Sequence, residues 1–94
     1  MVSYKLNDEA QDDIKRLYRR GLAEYGETQA DAYYDAFFRR FERIAEQPYL
    51  YPSVDHIRSG YRRSVCGVDS IYYRIVDDAV EIMRIIGRQD IDHS

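Results

Sequence analysis

Residues 8–47, DEAQDDIKRLYRRGLAEYGETQADAYYDAFFRRFERIAEQ, decide the fold of this 94-residue chain. Apolar residues recur within them at three- and four-residue steps in two blocks, the period of amphipathic α-helices. The first stripe consists of Ala10, Ile14, Leu17, Tyr18, Gly21 and Tyr25. The second consists of Ala30, Tyr33, Tyr34, Phe37, Phe38, Phe41, Ile44 and Ala45. Two such helices with one tight connection predict an antiparallel hairpin with a shared apolar seam.

Local signals mark the ends of both predicted helices. Asn7 suits an N-cap, because its side chain can accept a hydrogen bond from a first-turn amide. Gly26 is a suitable stop for the first helix. Thr28 and Asp31 resemble a capping box at the start of the second. Pro48 ends it, since the residue before a proline avoids helical geometry.

Both flanks of the hairpin have the composition of strands. Alternating residues 2–6 predict a first strand, and β-branched and aromatic residues predict three more at 61–66, 71–76 and 79–86. Asp77-Asp78 is short enough for a two-residue hairpin turn, and residues 67–70 join the first two of these three strands. The sequence therefore predicts one α+β domain over residues 1–94. Its order is β-α-α-β-β-β, with the helical hairpin packed on a small, mostly antiparallel four-stranded sheet.

Length and composition exclude several classes of protein. A chain of 94 residues holds one core, and it has no apolar run long enough to span a membrane. The amino terminus has no apolar signal core, and the lone Cys66 fits a reducing compartment, so we expect a cytoplasmic protein. A net charge of −3 and a pI near 5.3 argue against binding nucleic acid through the overall field of the chain. We therefore expect no direct sequence-specific nucleic-acid binding.

Several short segments, taken in order, resemble one known family. They are Asp13-Ile14, Tyr25-Gly26, Ile44-Ala45-Glu46, Gly60-Tyr61-Arg62, Tyr73-Arg74, Val80-Glu81-Ile82 and Arg84-Ile85. Together with the order of elements they are similar to ParE toxins of the ParE/RelE superfamily, over nearly the whole chain. The resemblance implies the RelE/ParE-like fold and a toxin that inhibits DNA gyrase without catalysing a reaction. It also implies a ParD-like antitoxin, which would wrap the toxin with a helix in a groove and a strand on a sheet edge.

Polar residues of the strand region are the candidates for binding a partner or target. They are Arg58, Arg62, Arg63, Arg74, Arg84, Arg88 and Tyr73. Arginines that share a face can bind carboxylates through two hydrogen bonds, although solvated or locally paired surface arginines are the simpler interpretation. Alternation places Arg84 on one face with Val80, Ile82 and Ile86, where a charge must be paired or reach water. Tyr72 and Tyr73 are predicted to point to opposite faces, one buried and one exposed.

No catalytic or metal-binding set can be recognised in the sequence, and no cofactor is implied. His56 and His93 are isolated, and Cys66 lies in a strand pattern typical of a packed core thiol. One alternative is a RelE-like, ribosome-dependent mRNA endonuclease using Arg62, Arg84, Arg88 and a tyrosine. The other is a degenerate, non-toxic partner of the antitoxin, because Gly87 stands where ParE-like sequences often have histidine.

Overall fold

The computed structural model describes residues 3–87, and within this range it contains the predicted elements in the predicted order. The helices are α1 (Asp8–Tyr25) and α2 (Glu27–Glu46). The strands are β1 (Tyr4–Leu6), β2 (Arg62–Cys66), β3 (Asp69–Val76) and β4 (Ala79–Gly87). The predicted helical hairpin is therefore confirmed. The connection predicted at 67–70 is shorter than expected, because Asp69 and Ser70 already belong to β3.

The four strands form one mixed sheet in the order β1-β4-β3-β2. β2, β3 and β4 are antiparallel neighbours, as predicted for a meander. β1 lies parallel to β4, with Tyr4 opposite Val80 and Leu6 opposite Ile82. A parallel pair needs a long crossover connection, and the helical hairpin lies within that connection.

The hairpin packs on one face of the sheet, which we call the inner face. Phe37, Phe41 and Ile44 of α2 are completely buried there against Ile71 and other sheet residues. The apolar periodicity of both helices therefore identified most of the core correctly, but it was wrong for Tyr25, which is 66% exposed, and for Tyr34, which is 37% exposed. No helix within residues 3–87 combines the length and hydropathy needed to cross a bilayer.

The predicted helix ends are confirmed except for the capping box. Asn7 Oδ1 accepts a hydrogen bond from the Ala10 amide at 2.9 Å, and α2 ends at Glu46, just before Pro48. Gly26, at φ +89°, ends α1 and also precedes the first residue of α2. Thr28 therefore lies inside the first turn and cannot cap it. Asp31 instead accepts a hydrogen bond from the Tyr18 hydroxyl on α1.

A β-bulge in β4 changes which side chains reach the core. Tyr72 pairs with Arg84, but Tyr73 pairs with Ile82, so Met83 is an extra residue without a partner. Beyond this point the alternation shifts by one residue, and Ile85 is buried. The prediction that Arg84 shares the face of Val80 and Ile82 is therefore wrong.

The prediction that one residue of the Tyr72–Tyr73 pair is exposed is also wrong. Tyr73 is completely buried in the inner core, and its hydroxyl donates to the Pro48 carbonyl at 2.6 Å. Burial raises the pKa of Tyr73 to about 12. Tyr72 points to the opposite, outer face, yet it is only 5% exposed. Strand alternation gave the faces correctly but not the packing on the outer one.

The β3–β4 turn offers a simple route to higher stability. Asp77 and Asp78 both have positive φ, 51° and 63°, as a two-residue type I′ turn requires. Because Gly adopts this conformation without steric cost, we expect Asp78→Gly to stabilise the fold by about 0.5–1 kcal/mol. The Tm should rise by a few degrees in thermal unfolding. Asp78→Ala removes the same charge but keeps a Cβ, and an equal rise in that control would contradict the explanation.

Candidate functional site

The outer face of the sheet carries a row of three side chains across β2, β3 and β4. Arg63 lies opposite Tyr72, and Tyr72 lies opposite Arg84. Directly paired residues project on the same face, and Ile71 and Tyr73 project to the core, so these three project outward. We call Arg63, Tyr72 and Arg84 the outer row. It brings two of the predicted candidate arginines to either side of an aromatic ring.

The two arginines of the outer row are held differently. Within residues 3–87 the Arg63 guanidinium makes no hydrogen bond or ion pair, and the side chain is half-buried. Arg84 Nε lies 2.8 Å from Asp13 Oδ2, and its Nη2 lies 3.3 Å from Asp13 Oδ1. Arg84 Nη1 is also 3.5 Å from the exposed Glu9 carboxylate. Arg84 thus has the structural ion pair that the sequence left as one of two alternatives.

Asp13 also holds the β4 backbone just beyond the bulge. β1 ends opposite Ile82, so α1 rather than a strand lies beside the following residues of β4. Asp13 Oδ2 accepts the Ile85 amide at 2.9 Å, and Arg16 Nη2 lies 3.4 Å from the Ile85 carbonyl. One turn of α1 therefore supplies the hydrogen bonds that a neighbouring strand would otherwise make. A partner strand cannot add at this position without displacing them.

The charge state of Asp13 follows from these contacts. The residue is 5% exposed, and burial alone would raise its pKa. Hydrogen bonds from Arg84 and the Ile85 amide, with the Arg84 charge, outweigh burial and lower the pKa of Asp13 below its ordinary value. Asp13 is therefore ionised at neutral pH, as a carboxylate that orients a guanidinium must be.

The remaining predicted arginines lie elsewhere. Arg74 projects to the outer face but is paired across the strands with Glu81, at 2.8 Å from Nε and 2.7 Å from Nη2. Arg62 projects to the inner side, where it donates to the Tyr51 carbonyl at 2.6 Å and lies 5.0 Å above the Tyr49 ring. Arg58 lies in the loop, 5.6 Å from the Tyr61 ring centroid. Arg88 and His93 lie outside the described residues.

β2 is an edge strand of the sheet, and an edge is where the family resemblance places a partner strand, but this edge is partly covered by the chain itself. Ser53 forms an isolated bridge with Arg62, and the Arg63 amide donates to the Pro52 carbonyl at 3.1 Å. Farther along, Arg40 Nη1 donates to the Val65 carbonyl and to Ser64 Oγ. Natural sheets protect their edges in this way. A strand that adds at β2 must therefore displace Arg40.

A second polar cluster joins the hairpin to the β2–β3 turn. Asp69 is completely buried, and its Oδ2 accepts a hydrogen bond from the Tyr33 hydroxyl at 2.8 Å. Arg20 Nη2 lies 3.7 Å from the same oxygen. Burial, followed by the hydrogen bond to Asp69, raises the pKa of Tyr33. The cluster lines a groove of about 700 Å³ beside the exposed Tyr25 and Val68. Sequence reasoning missed it, because a buried strand Asp has no local signal.

Asp13 was also missed as a functional residue, although the sequence does contain a signal for it. Position 13 lies three residues after Ala10 and four before Leu17, on the apolar stripe of α1. An acidic residue on a buried face needs a partner. Cys66 is, as predicted, a buried core thiol, and burial raises its pKa. The exposed His56 and the other described residues form no group of three that could hold a metal ion.

Solved structures identify the class to which this fold belongs. The chain is similar to a structure of the chromosomal ParDE toxin-antitoxin system of P. aeruginosa, with a TM-score of 0.79 and 18% identity. That match covers 93% of this chain and 96% of the other. A structure of the RelBE2 toxin-antitoxin complex of Mycobacterium tuberculosis matches with a TM-score of 0.62 and 21% identity, over 93% and 98% of the two chains. The architecture is that of ParE/RelE toxins.

Sequence comparison then identifies the family within this class. The family model of the ParE toxin of the type II toxin-antitoxin system parDE matches residues 4–91. The chain is 31% identical to Toxin ParE1 of Caulobacter vibrioides over 86 residues, covering 92% of this chain and 88% of that protein. It is 26% identical to Toxin ParE1 of M. tuberculosis over 93 residues, covering 97% and 95%. The chain belongs to the ParE toxin family and is a ParE-type toxin of a toxin-antitoxin system.

Proposed function

We propose that this toxin acts in the bacterial cytoplasm by binding DNA gyrase, without catalysing a reaction of its own. A ParD-like antitoxin binds the toxin directly and neutralises it. The observation that carries this proposal is the ParE family match over residues 4–91, which accounts for nearly every element of the fold. The proposal depends on two points: that gyrase is the target and that the antitoxin is ParD-like.

The outer row supports a protein-binding role. Arginine is enriched among the residues that contribute most to protein interfaces, whereas Tyr72 is only 5% exposed and offers a partner little surface. A guanidinium can bind a carboxylate or a phosphate through two parallel hydrogen bonds. Arg63 has no partner of this kind within residues 3–87, and it projects beside Tyr72 on a face that the helices leave uncovered. We therefore place target contact on this face, with Arg63 at its centre.

Induction of the chain in bacteria tests the proposed activity. We expect growth arrest, filamentation and an accumulation of covalent gyrase–DNA cleavage complexes, all reversed by coexpression of the ParD-like antitoxin. Growth arrest with intact DNA would contradict gyrase as the target. Unaffected growth without antitoxin would support the degenerate, non-toxic alternative.

Substitution of Arg63 tests the proposed face. We expect Arg63→Ala to weaken binding to purified gyrase by at least tenfold, the loss of about 1.5–3 kcal/mol typical of a hydrogen bond to a charged group. Its Tm should change little, because the guanidinium has no partner within the described fold. Arg19→Ala removes the same charge from the exposed face of α1 and serves as the matched control. Equal effects of the two variants would contradict this placement.

The mRNA endonuclease remains the second candidate, and the outer row is the observation that favours it. A tyrosine between two arginines has the groups needed to activate a 2′-hydroxyl and stabilise phosphate charge. Tyr72 is only 5% exposed, however, so a substrate would first have to uncover its hydroxyl. The residues that the sequence offered for this activity also do not come together, because Arg62 projects to the inner side of the sheet and Arg84 to the outer face. Mapping transcript ends after induction separates the candidates. Codon-aligned cuts would favour the endonuclease.

A further inference from the structure

Arg84 lies at a position where its side chain would be poorly ordered without a second residue. It follows the unpaired bulge residue Met83, and the β4 backbone there has helix α1 rather than a strand on its open side. Its guanidinium also lies 3.5 Å from the Glu9 carboxylate, but that side chain is 71% exposed, and an exposed ion pair restrains an arginine only weakly. The Arg84 side chain keeps 40% of its surface exposed, so packing alone does not immobilise it.

Asp13 makes three of the contacts that define this region. Its Oδ2 accepts a hydrogen bond from Arg84 Nε at 2.8 Å, and its Oδ1 accepts one from Arg84 Nη2 at 3.3 Å. The oxygen that accepts Nε also accepts the Ile85 amide at 2.9 Å. The same carboxylate therefore orders both the Arg84 guanidinium and the Ile85 backbone, which follow the bulge directly. The Asp13 side chain is only 7% exposed, so water competes weakly for these bonds.

We infer that Asp13 is a positioning residue, which fixes Arg84 at the β4 border of the outer row so that the row meets its target already ordered. This inference rests on the proposed function, because the outer row is the face assigned to target binding. Ordering one flexible side chain during association costs about 0.5–1.5 kcal/mol. Loss of the preordered Arg84 should therefore weaken target binding about two- to tenfold.

Asp13→Asn separates positioning from folding. An asparagine oxygen in the place of Oδ2 can still accept hydrogen bonds from the Ile85 amide and from Arg84 Nε, but the bond to Nε is weaker because the carboxylate charge is gone. The asparagine amide nitrogen cannot accept the second bond, from Arg84 Nη2. In NMR spectra we expect the Arg84 Nε–H of the wild-type chain to exchange slowly with solvent and to have a dispersed chemical shift. In Asp13→Asn that signal should move to the position of exposed arginines and exchange faster, while the backbone amide spectrum stays folded. Asp12→Asn makes the same charge change on the exposed side of α1 and should leave Arg84 unchanged.

Binding to purified gyrase supplies the functional readout. We expect a two- to tenfold weaker affinity for Asp13→Asn, partial recovery in Asp13→Glu and no change in Asp12→Asn. Arg84→Lys tests the same point if Asp13→Asn does not fold, because lysine keeps the charge but lacks the planar fork. An unchanged Arg84 signal in Asp13→Asn would overturn the inference, and so would wild-type affinity in a folded Asp13→Asn or Arg84→Lys variant. If the wild-type chain itself does not bind gyrase, the proposed function fails and the binding half of the inference fails with it. The NMR comparison still decides whether Asp13 orients Arg84.

Discussion

Phe41→Ala is expected to lower the free energy of unfolding by about 3–5 kcal/mol, the usual cost of truncating a buried Phe. Phe41 is completely buried where α2 meets β1, and its ring lies 5.6 Å from that of Tyr4 and 5.2 Å from that of Phe38. A domain of this size has a total stability of roughly 5–14 kcal/mol. Removal of this one side chain therefore eliminates a large share of it. Urea unfolding at neutral pH, followed by far-UV circular dichroism, measures the loss.

Phe38→Ala is the matched control for that substitution. Phe38 lies on the same helix and touches the same cluster, but its side chain is only partly buried. We expect a clearly smaller loss, because less apolar surface is returned to water and the adjacent solvent can fill the space. An equal or larger loss at Phe38 would contradict the assignment of Phe41 to the centre of the core.

Asp13→Ala is expected to lower the free energy of unfolding by roughly 3 kcal/mol at pH 7. Removal of the carboxylate leaves the Ile85 amide without its acceptor, which costs about 1–3 kcal/mol. It also breaks the ion pair with Arg84. Because the Arg84 side chain is partly exposed, we expect the loss of stability to lie at the low end of the range known for breaking buried ion pairs. Chemical unfolding of both proteins at the same pH measures the difference.

The pH dependence of this difference identifies its source. The folded pKa of Asp13 is lowered, so its ionised form contributes stability above the unfolded pKa of about 3.9. That contribution is lost as the pH falls through the lower, folded value. The stability difference between wild type and Asp13→Ala should therefore shrink in acid. Asp12→Ala should stay within about 0.5 kcal/mol of wild type at neutral pH. A difference for Asp13→Ala that is the same at pH 7 and pH 2 would show that charge is not involved.

The elements of this protein follow from short-range patterns in the sequence. The spacing of Ile14, Leu17 and Phe37 places them on helix faces, because residues three and four apart are neighbours on a helix. Asn7 and Gly26 end α1 through contacts that lie within one turn. The positive φ of Asp77 and Asp78 follows from the two-residue length of their turn. None of these features needs knowledge of distant parts of the chain.

The candidate site needed the tertiary structure. The bulge at Met83 arises from the pairing of β3 with β4, and it decides that Ile85 rather than Arg84 enters the core. Arg84 is hydrogen-bonded to Asp13, 71 positions earlier in the chain. Periodicity states which residues share a face of one element, but not which faces meet or where a strand pairing skips a residue. The sequence by itself therefore determined the helices, the turn and most of the core. Only the tertiary structure decided the candidate site: the pairing of β2, β3 and β4 placed Arg63, Tyr72 and Arg84 in one row, and the packing of α1 beside the open side of β4 gave Arg84 its partner Asp13.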